Sequence, residues 1–161
     1  AAGEIGHITI DLNGPICNCG SYGCIEAYVG NNYLIERVKK QLKKRKDSKI
    51  MELVDNDITK LSPKIINEAA NLGDRFASEV IIELGKYLGA NLASVSNLLD
   101  ISTFIIGGGV AGFGEPLFKV MQQTARERVL TPLRNRVNVL PAKLKNDAGI
   151  KGASALVFHN A

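Results

Sequence analysis

A chain of 161 residues with 45% hydrophobic and 22% charged side chains has the balance of one globular domain with a moderate core, which excludes a disordered or fibrous segment. No apolar run approaches the roughly 18 residues that a bilayer-spanning helix needs, and the N-terminus lacks the basic-then-apolar layout of a signal peptide, so no membrane role is expected. The net charge of +4 is local: eight basic residues stand between Arg37 and Lys49 against Asp47 alone, and the rest of the chain carries 12 basic and 15 acidic side chains.

In chain order, Ile5 to Leu12 alternates apolar and polar residues and stops at Asn13-Gly14-Pro15, which predicts a strand entering a loop. Helical character begins at Ile25-Glu26-Ala27-Tyr28, and a second helix covers 31 to 46. There Tyr33, Leu34, Val38 and Leu42 recur at helical spacing, placing the lysines on a solvated face. With no aromatic residues interleaved for base stacking, nucleic acid is not an expected partner. The stretch 49 to 61 predicts a short helix and a connection. Ser62-Pro63 then starts a helix to about Asn71, and Asp74 caps a long one through Leu99. In that long helix Gly85, Gly89 and Ala93 form a row at spacing four, which predicts close approach of another backbone element. Thr103-Phe104-Ile105-Ile106 has the wholly apolar character of a strand buried on both faces, and it opens into Gly107-Gly108-Gly109. A helix from Pro116 to about Val129, a strand over 136 to 140 and a closing helix from Ala148 to His159 complete an α/β domain whose sheet is flanked by helices.

The chemistry concentrates in His7, Cys17, Cys19 and Cys24. Three cysteines within eight positions, with none elsewhere, do not form a disulfide framework and point to metal ligands in a reducing cytoplasm. One imidazole and three thiolates can close a tetrahedron around zinc, with Gly20 and Gly23 letting the backbone turn between ligands. Such a set leaves no open coordination position, so the metal would be structural. The alternative reading is three small thiols without metal. Glu4 and Glu26 bracket this loop. As isolated acids they suit helix caps, but folded into one cleft they would accept hydrogen bonds from a polyhydroxylated ligand. Gly107 to Gly109 form either a structural turn or a bare backbone that lies against a nucleotide; they fit neither GxxxxGK[ST] nor GxGxxG.

Gly3-Glu4-Ile5-Gly6-His7, followed by Cys17-x-Cys19-Gly20-x-x-Gly23-Cys24-x-Glu26, resembles the signature of the ROK family, which groups bacterial sugar kinases with sugar-responsive repressors. Ile105-Ile106-Gly107-Gly108-Gly109 resembles that family's nucleotide-binding turn, and the likeness runs over essentially the whole chain. The resemblance implies an actin-like, ribonuclease-H-like ATPase fold, with Mg2+-ATP as co-substrate, transfer of the γ-phosphoryl group to a hexose such as glucose, and a cytoplasmic homodimer. It implies zinc on His7, Cys17, Cys19 and Cys24, sugar contacts from Glu4, His7 and Glu26, and an adenosine contact from Gly107 to Gly109. It divides the chain into a zinc and sugar loop over 3 to 26 and a nucleotide-binding turn over 105 to 114.

The chain departs from the family pattern at its start. Members carry a DxGxT-type phosphate loop, the catalytic aspartate and a second glycine-rich motif ahead of the GEIGH element, and none of these precedes Ala1. The expectation is therefore a C-terminal portion of a kinase with no catalytic residue of its own, inactive by itself. The competing expectations are a sugar-sensing repressor, against which the intact triple glycine argues, and a zinc-stabilised module without catalysis.

Overall fold

Capping side chains set the helix boundaries. The computed structural model describes residues 3–144 and 147–159. A 3-10 turn, Ile5–His7, leads through the cysteine loop to α1 (Glu26–Val29) and α2 (Asn31–Leu42). Helices α3 (Lys49–Leu53), α4 (Pro63–Asn71) and α5 (Arg75–Leu99) follow. Then come β1 (Thr103–Ile106), a 3-10 turn over Gly109–Phe113, α6 (Gly114–Arg128), β2 (Asn138–Pro141) and α7 (Ala148–His159). The Ser62 hydroxyl accepts from the Ile65 amide with Pro63 at the first helical position, where its missing N–H is harmless. Asp74 caps twice: Oδ1 accepts from the Ala77 amide at 2.6 Å and Oδ2 from the Lys49 amide at 2.6 Å, so one carboxylate starts α5 and holds the first residue of α3.

The core forms where α5 lies on α6, and the predicted glycine row is the reason the two helices come so close. A Cβ on Gly89 would stand 2.6 Å from the Met121 carbonyl oxygen, and one on Gly85 2.8 Å from the Val120 Cβ. Around this contact Leu84, Leu92, Leu117, Met121 and Ala125 are buried, each large side chain contributing on the order of 1.5–3 kcal/mol of transfer free energy. Helix α2 adds Leu34, Val38 and Leu42, while its lysines point outward as their spacing requires.

Several expectations are corrected. Residues 5 to 12 form no strand: the Ile5 amide bonds the Gly3 carbonyl and the His7 amide the Glu4 carbonyl, so the chain coils at its start and pairs only through an isolated bridge, Thr9 to Cys24. The alternation fails because the facing segment is extended for too short a length to build a ladder. Helix α2 ends at Leu42, four residues early, where the run of lysines no longer has an apolar stripe to bury. Helix α6 begins two residues before Pro116, which still falls in the first turn, and the second strand is shifted to Asn138–Pro141.

The sheet among the described residues has two parallel strands, with Phe104 opposite Val139 and Ile105 opposite Leu140. Phe104 and Val139 face the core, whereas Ile105 is 69% exposed, so β1 is covered on one face rather than two. The apolar run could not reveal this, because it carries no alternation to mark an open side. The class is α/β and helix-rich. None of the described helices is long and apolar enough to cross a membrane.

Candidate metal centre and its acidic rim

Three local turns gather the donor atoms. The Cys17 amide bonds the Ser21 carbonyl and the Gly20 amide the Cys17 carbonyl, curling the Cys17-x-Cys19 segment, while Gly20 takes φ +89°. Gly23 takes φ +62°, and a Cβ there would collide with the Asp11 carbonyl oxygen, so only glycine lets Cys24 come in under the loop. The chain before the loop is tied on by the Ile10 amide to the Gly23 carbonyl and the Ile25 amide to the Ile8 carbonyl.

The result is a cluster in which one ligand atom each of His7, Cys17, Cys19 and Cys24 lies within 4.8 Å of the others. Cys17 Sγ is 3.6 Å from His7 Nδ1, and Cys19 Sγ is 3.6 Å from Cys24 Sγ. Zinc bonded to sulfur at about 2.3 Å in a tetrahedron separates two sulfurs by about 3.8 Å, so these contacts have the spacing of tetrahedron edges. Cys17 and Cys24 are buried, and Cys19 and His7 are exposed. Without a cation the thiols diverge. Burial, aided by the neighbouring thiols, pushes Cys24 up to about 11, whereas a hydrogen bond from the Ser21 backbone holds Cys19 below its ordinary value. A divalent cation would reverse the Cys24 shift, since a coordinated thiol is deprotonated outright.

Tyr33, whose spacing reads as apolar packing, secures the loop. The Tyr33 hydroxyl accepts from the Asn18 amide at 2.8 Å and donates to Asn18 Oδ1 at 2.7 Å, locking the residue between two of the cysteines, while its ring packs on Cys17, Cys24 and Ala27. Spacing gives no sign of this role, since an apolar stripe of about 100° or more accommodates adjacent residues such as Tyr33 and Leu34. On the other side, Tyr28 donates to Asp11 Oδ2 at 2.8 Å and packs at a tilt of 41° against Tyr87, with ring centroids 4.7 Å apart. A cleft of about 480 Å3 opens beside the loop, lined among others by Asn18, Tyr28, Tyr33 and Arg37, and it does not include Glu4, His7 or Glu26.

The two acids stand at different depths. Glu26, the first residue of α1, is half-buried. Its carboxylate lies against Gly6, one residue before His7, and against Gly30, where an added Cβ would overlap it. Glu4 precedes the 3-10 turn, is exposed, and makes no capping hydrogen bond there. Gly107, Gly108 and Gly109 are exposed between β1 and the second 3-10 turn. Gly108 (φ +71°, ψ −163°) and Gly114 (φ +67°, ψ −158°) hold a conformation restricted to glycine at the two ends of that turn, which is why glycine recurs there. A Cβ on Gly109 would meet the Asn31 side-chain nitrogen at 3.8 Å, so the glycine turn sits beside the start of α2, five residues beyond Glu26.

The centre is thus a cysteine-and-histidine loop on a helix-rich α/β scaffold, with a glycine turn after a strand. The sequence pattern of the ROK family matches residues 1–160, and the chain belongs to that family. It is 30% identical over 154 residues to a glucokinase of Thermotoga maritima, covering 96% of this chain and 48% of that protein. It is 34% identical over 155 residues to the DNA-binding transcriptional dual regulator NagC of Escherichia coli, covering 96% of this chain and 36% of the regulator. The crystal structure of a ROK family glucokinase from Streptomyces griseus, in complex with glucose and AMPPNP, superposes with a TM-score of 0.86 at 34% identity, covering 96% of this chain and 51% of that one. The chain has the fold of the matching half of that kinase, and ROK sugar kinases have the actin-like ATPase fold. The chain spans about half the length of these glucokinases.

Proposed function

We propose that this chain supplies the sugar-holding part of an ATP-dependent hexose kinase, with glucose as the substrate. The carrying observation is the seat of Glu26: a half-buried carboxylate set against Gly6, beside a histidine whose Nδ1 is 3.6 Å from the Cys17 thiol and whose ring joins the three-cysteine cluster. His7, Cys17, Cys19 and Cys24 would hold a zinc ion that shapes the loop, since four protein donors leave no position for activating water. With Nδ1 committed to the cluster, Nε2 of the exposed His7 is left to donate to a sugar hydroxyl. Glu4 and Glu26, acceptor-only when ionised, would take hydrogen bonds from adjacent hydroxyls, and Gly107 to Gly109 would lie against the adenosine of Mg2+-ATP. This division of labour suits phosphoryl transfer, in which positioning and charge stabilisation dominate. The likeness to a glucokinase whose structure contains glucose and AMPPNP supports the same reading.

The test is calorimetry on the natural gene product, with glucose and AMPPNP as ligands. Glu26→Gln should weaken glucose binding roughly 10- to 100-fold, the loss of a charge-assisted hydrogen bond, while AMPPNP binding holds. Glucose binding unaffected by this change would remove the carboxylate from the site. Light scattering on the same sample tests the homodimer.

A second reading has its own support in the 34% identity to NagC over 96% of this chain. In a sugar-sensing repressor the same cradle would bind the inducer and nucleic acid would become a partner. Operator binding relieved by a sugar, together with no ATP turnover, would decide for it.

A further inference from the structure

We propose that Asn91 is a positioning residue that sets the height of the Glu4-Ile5-Gly6-His7 turn over α5; this rests on the reading of His7 and Glu4 given above. Asn91 is 3% exposed in the middle of α5, and its Nδ2 donates to the Ile5 carbonyl at 3.1 Å across 86 residues of sequence. A carbonyl oxygen only accepts, so the amide nitrogen must be the atom that faces it. Oδ1 is buried with no hydrogen-bond partner among the described residues. A leucine of similar volume would bury there without desolvating an amide, so packing does not account for the polar side chain.

The placement explains its use. Ile5 follows Glu4 directly and stands two residues before His7, and these are the two members of the proposed cradle that precede the loop. Asn91 and Gly89 are two residues apart and so lie about 200° apart around the helix. The Gly89 side of α5 is pressed to the backbone of α6, and the Asn91 side reaches the turn. Helix α5 is thus a beam between α6, which begins at the end of the glycine turn, and the turn that delivers His7 Nδ1 to the thiols. A small shift of Ile5 would move His7 and Glu4 together.

The experiment uses the natural gene product, cobalt(II) as the metal probe and glucose as the sugar probe, with Asn91→Asp, Asn91→Leu and Asn91→Ala. Asn91→Asp is isosteric and sets an oxygen against the Ile5 carbonyl. All three should weaken cobalt binding and glucose binding about tenfold and change the visible ligand-field spectrum of the cobalt protein, with AMPPNP affinity unchanged. Leu84→Ala, which destabilises the same helix from another buried position, should lower the melting temperature and leave the cobalt spectrum alone. Wild-type cobalt spectra and affinities in the Asn91 variants, or an identical spectral change in Leu84→Ala, would overturn the proposal. So would failure of all three Asn91 variants to fold while Leu84→Ala folds, since the amide would then be a packing requirement. A wild-type protein that binds cobalt but no hexose defeats the sugar reading, and the cobalt comparison still decides the role of Asn91.

Discussion

The cysteine loop and the glycine turn both depend on glycine, yet they are held in opposite ways. In the loop the backbone closes on itself through bonds between residues at most 17 apart in sequence, from Ile8 with Ile25 to Cys17 with Ser21, and two of the thiols are buried. In the turn the three glycines are exposed, and a Cβ on Gly108 would meet nothing within 4 Å. A self-contained knot fails as a unit when one member is lost. An open turn tolerates a local fault and loses only what it would contact.

Removing a ligand should therefore have the largest effect. Structural zinc in small peptides contributes on the order of 10–16 kcal/mol, comparable to the whole stability of a domain, although here α5 and α6 have their own core. Cys19→Ser should lose its zinc by atomic emission and disorder the loop from Asn13 to Glu26. Glucose affinity should fall with it, while far-UV circular dichroism keeps its helical signal. Full zinc content in that variant would refute the ligand assignment.

Paired glycine substitutions sharpen the contrast. Gly23→Ala combines a left-handed backbone with a collision against the Asp11 carbonyl, so it should cost several times as much as Gly108→Ala, for which strain alone predicts about 1–3 kcal/mol. Chemical denaturation measures both. If Gly108→Ala proves the more damaging of the two, the turn is packed and the comparison fails. AMPPNP binding should weaken in Gly108→Ala and hold in Gly23→Ala.

Metal affinity should also rise with pH. Burial pushes the Cys24 thiol up to about 11 in the absence of a cation, so at neutral pH it enters coordination by releasing a proton, and that one thiol steepens the dependence by up to about tenfold per pH unit until its own ionisation is reached. Cys19, held low by the Ser21 backbone, contributes less over the same range. A chelator competition at several pH values reads the slope, and a flat profile from pH 6 to 9 would exclude thiolate ligation.

What was legible in the sequence was what neighbouring residues decide. Ser62-Pro63 and Asp74 mark two helix starts, the Gly85 and Gly89 row announces the α5–α6 contact, and His7 with three clustered cysteines names the side chains that the fold brings within 4.8 Å of one another. What was hidden depends on partners remote in sequence. The second bond of Asp74 goes to the Lys49 amide, 25 residues back, and no cap pattern encodes it. The alternation over 5 to 12 wrote a strand that had no partner long enough to pair with, and the run Thr103–Ile106 hid an open face because all four of its residues suit burial. In the sequence Asn91 is one polar residue within an apolar helix, and its acceptor, the Ile5 carbonyl 86 residues back, becomes visible only in the fold.

Tyr33→Phe gives the smallest and most discriminating effect. Phenylalanine keeps the ring that packs on Cys17, Cys24 and Ala27 and removes only the hydroxyl that holds Asn18 at two points. The Asn18 amide is exposed and can turn to water, so global stability should fall by no more than about 1 kcal/mol. Metal affinity should fall further, about tenfold, because residues that orient metal ligands act on coordination geometry more than on folding. The two measurements separate the roles of the ring and the hydroxyl. If affinity falls only in proportion to stability, the loop is held by its metal alone; a larger fall in affinity means that the hydroxyl presets the distance between Cys17 and Cys19 before the ion arrives.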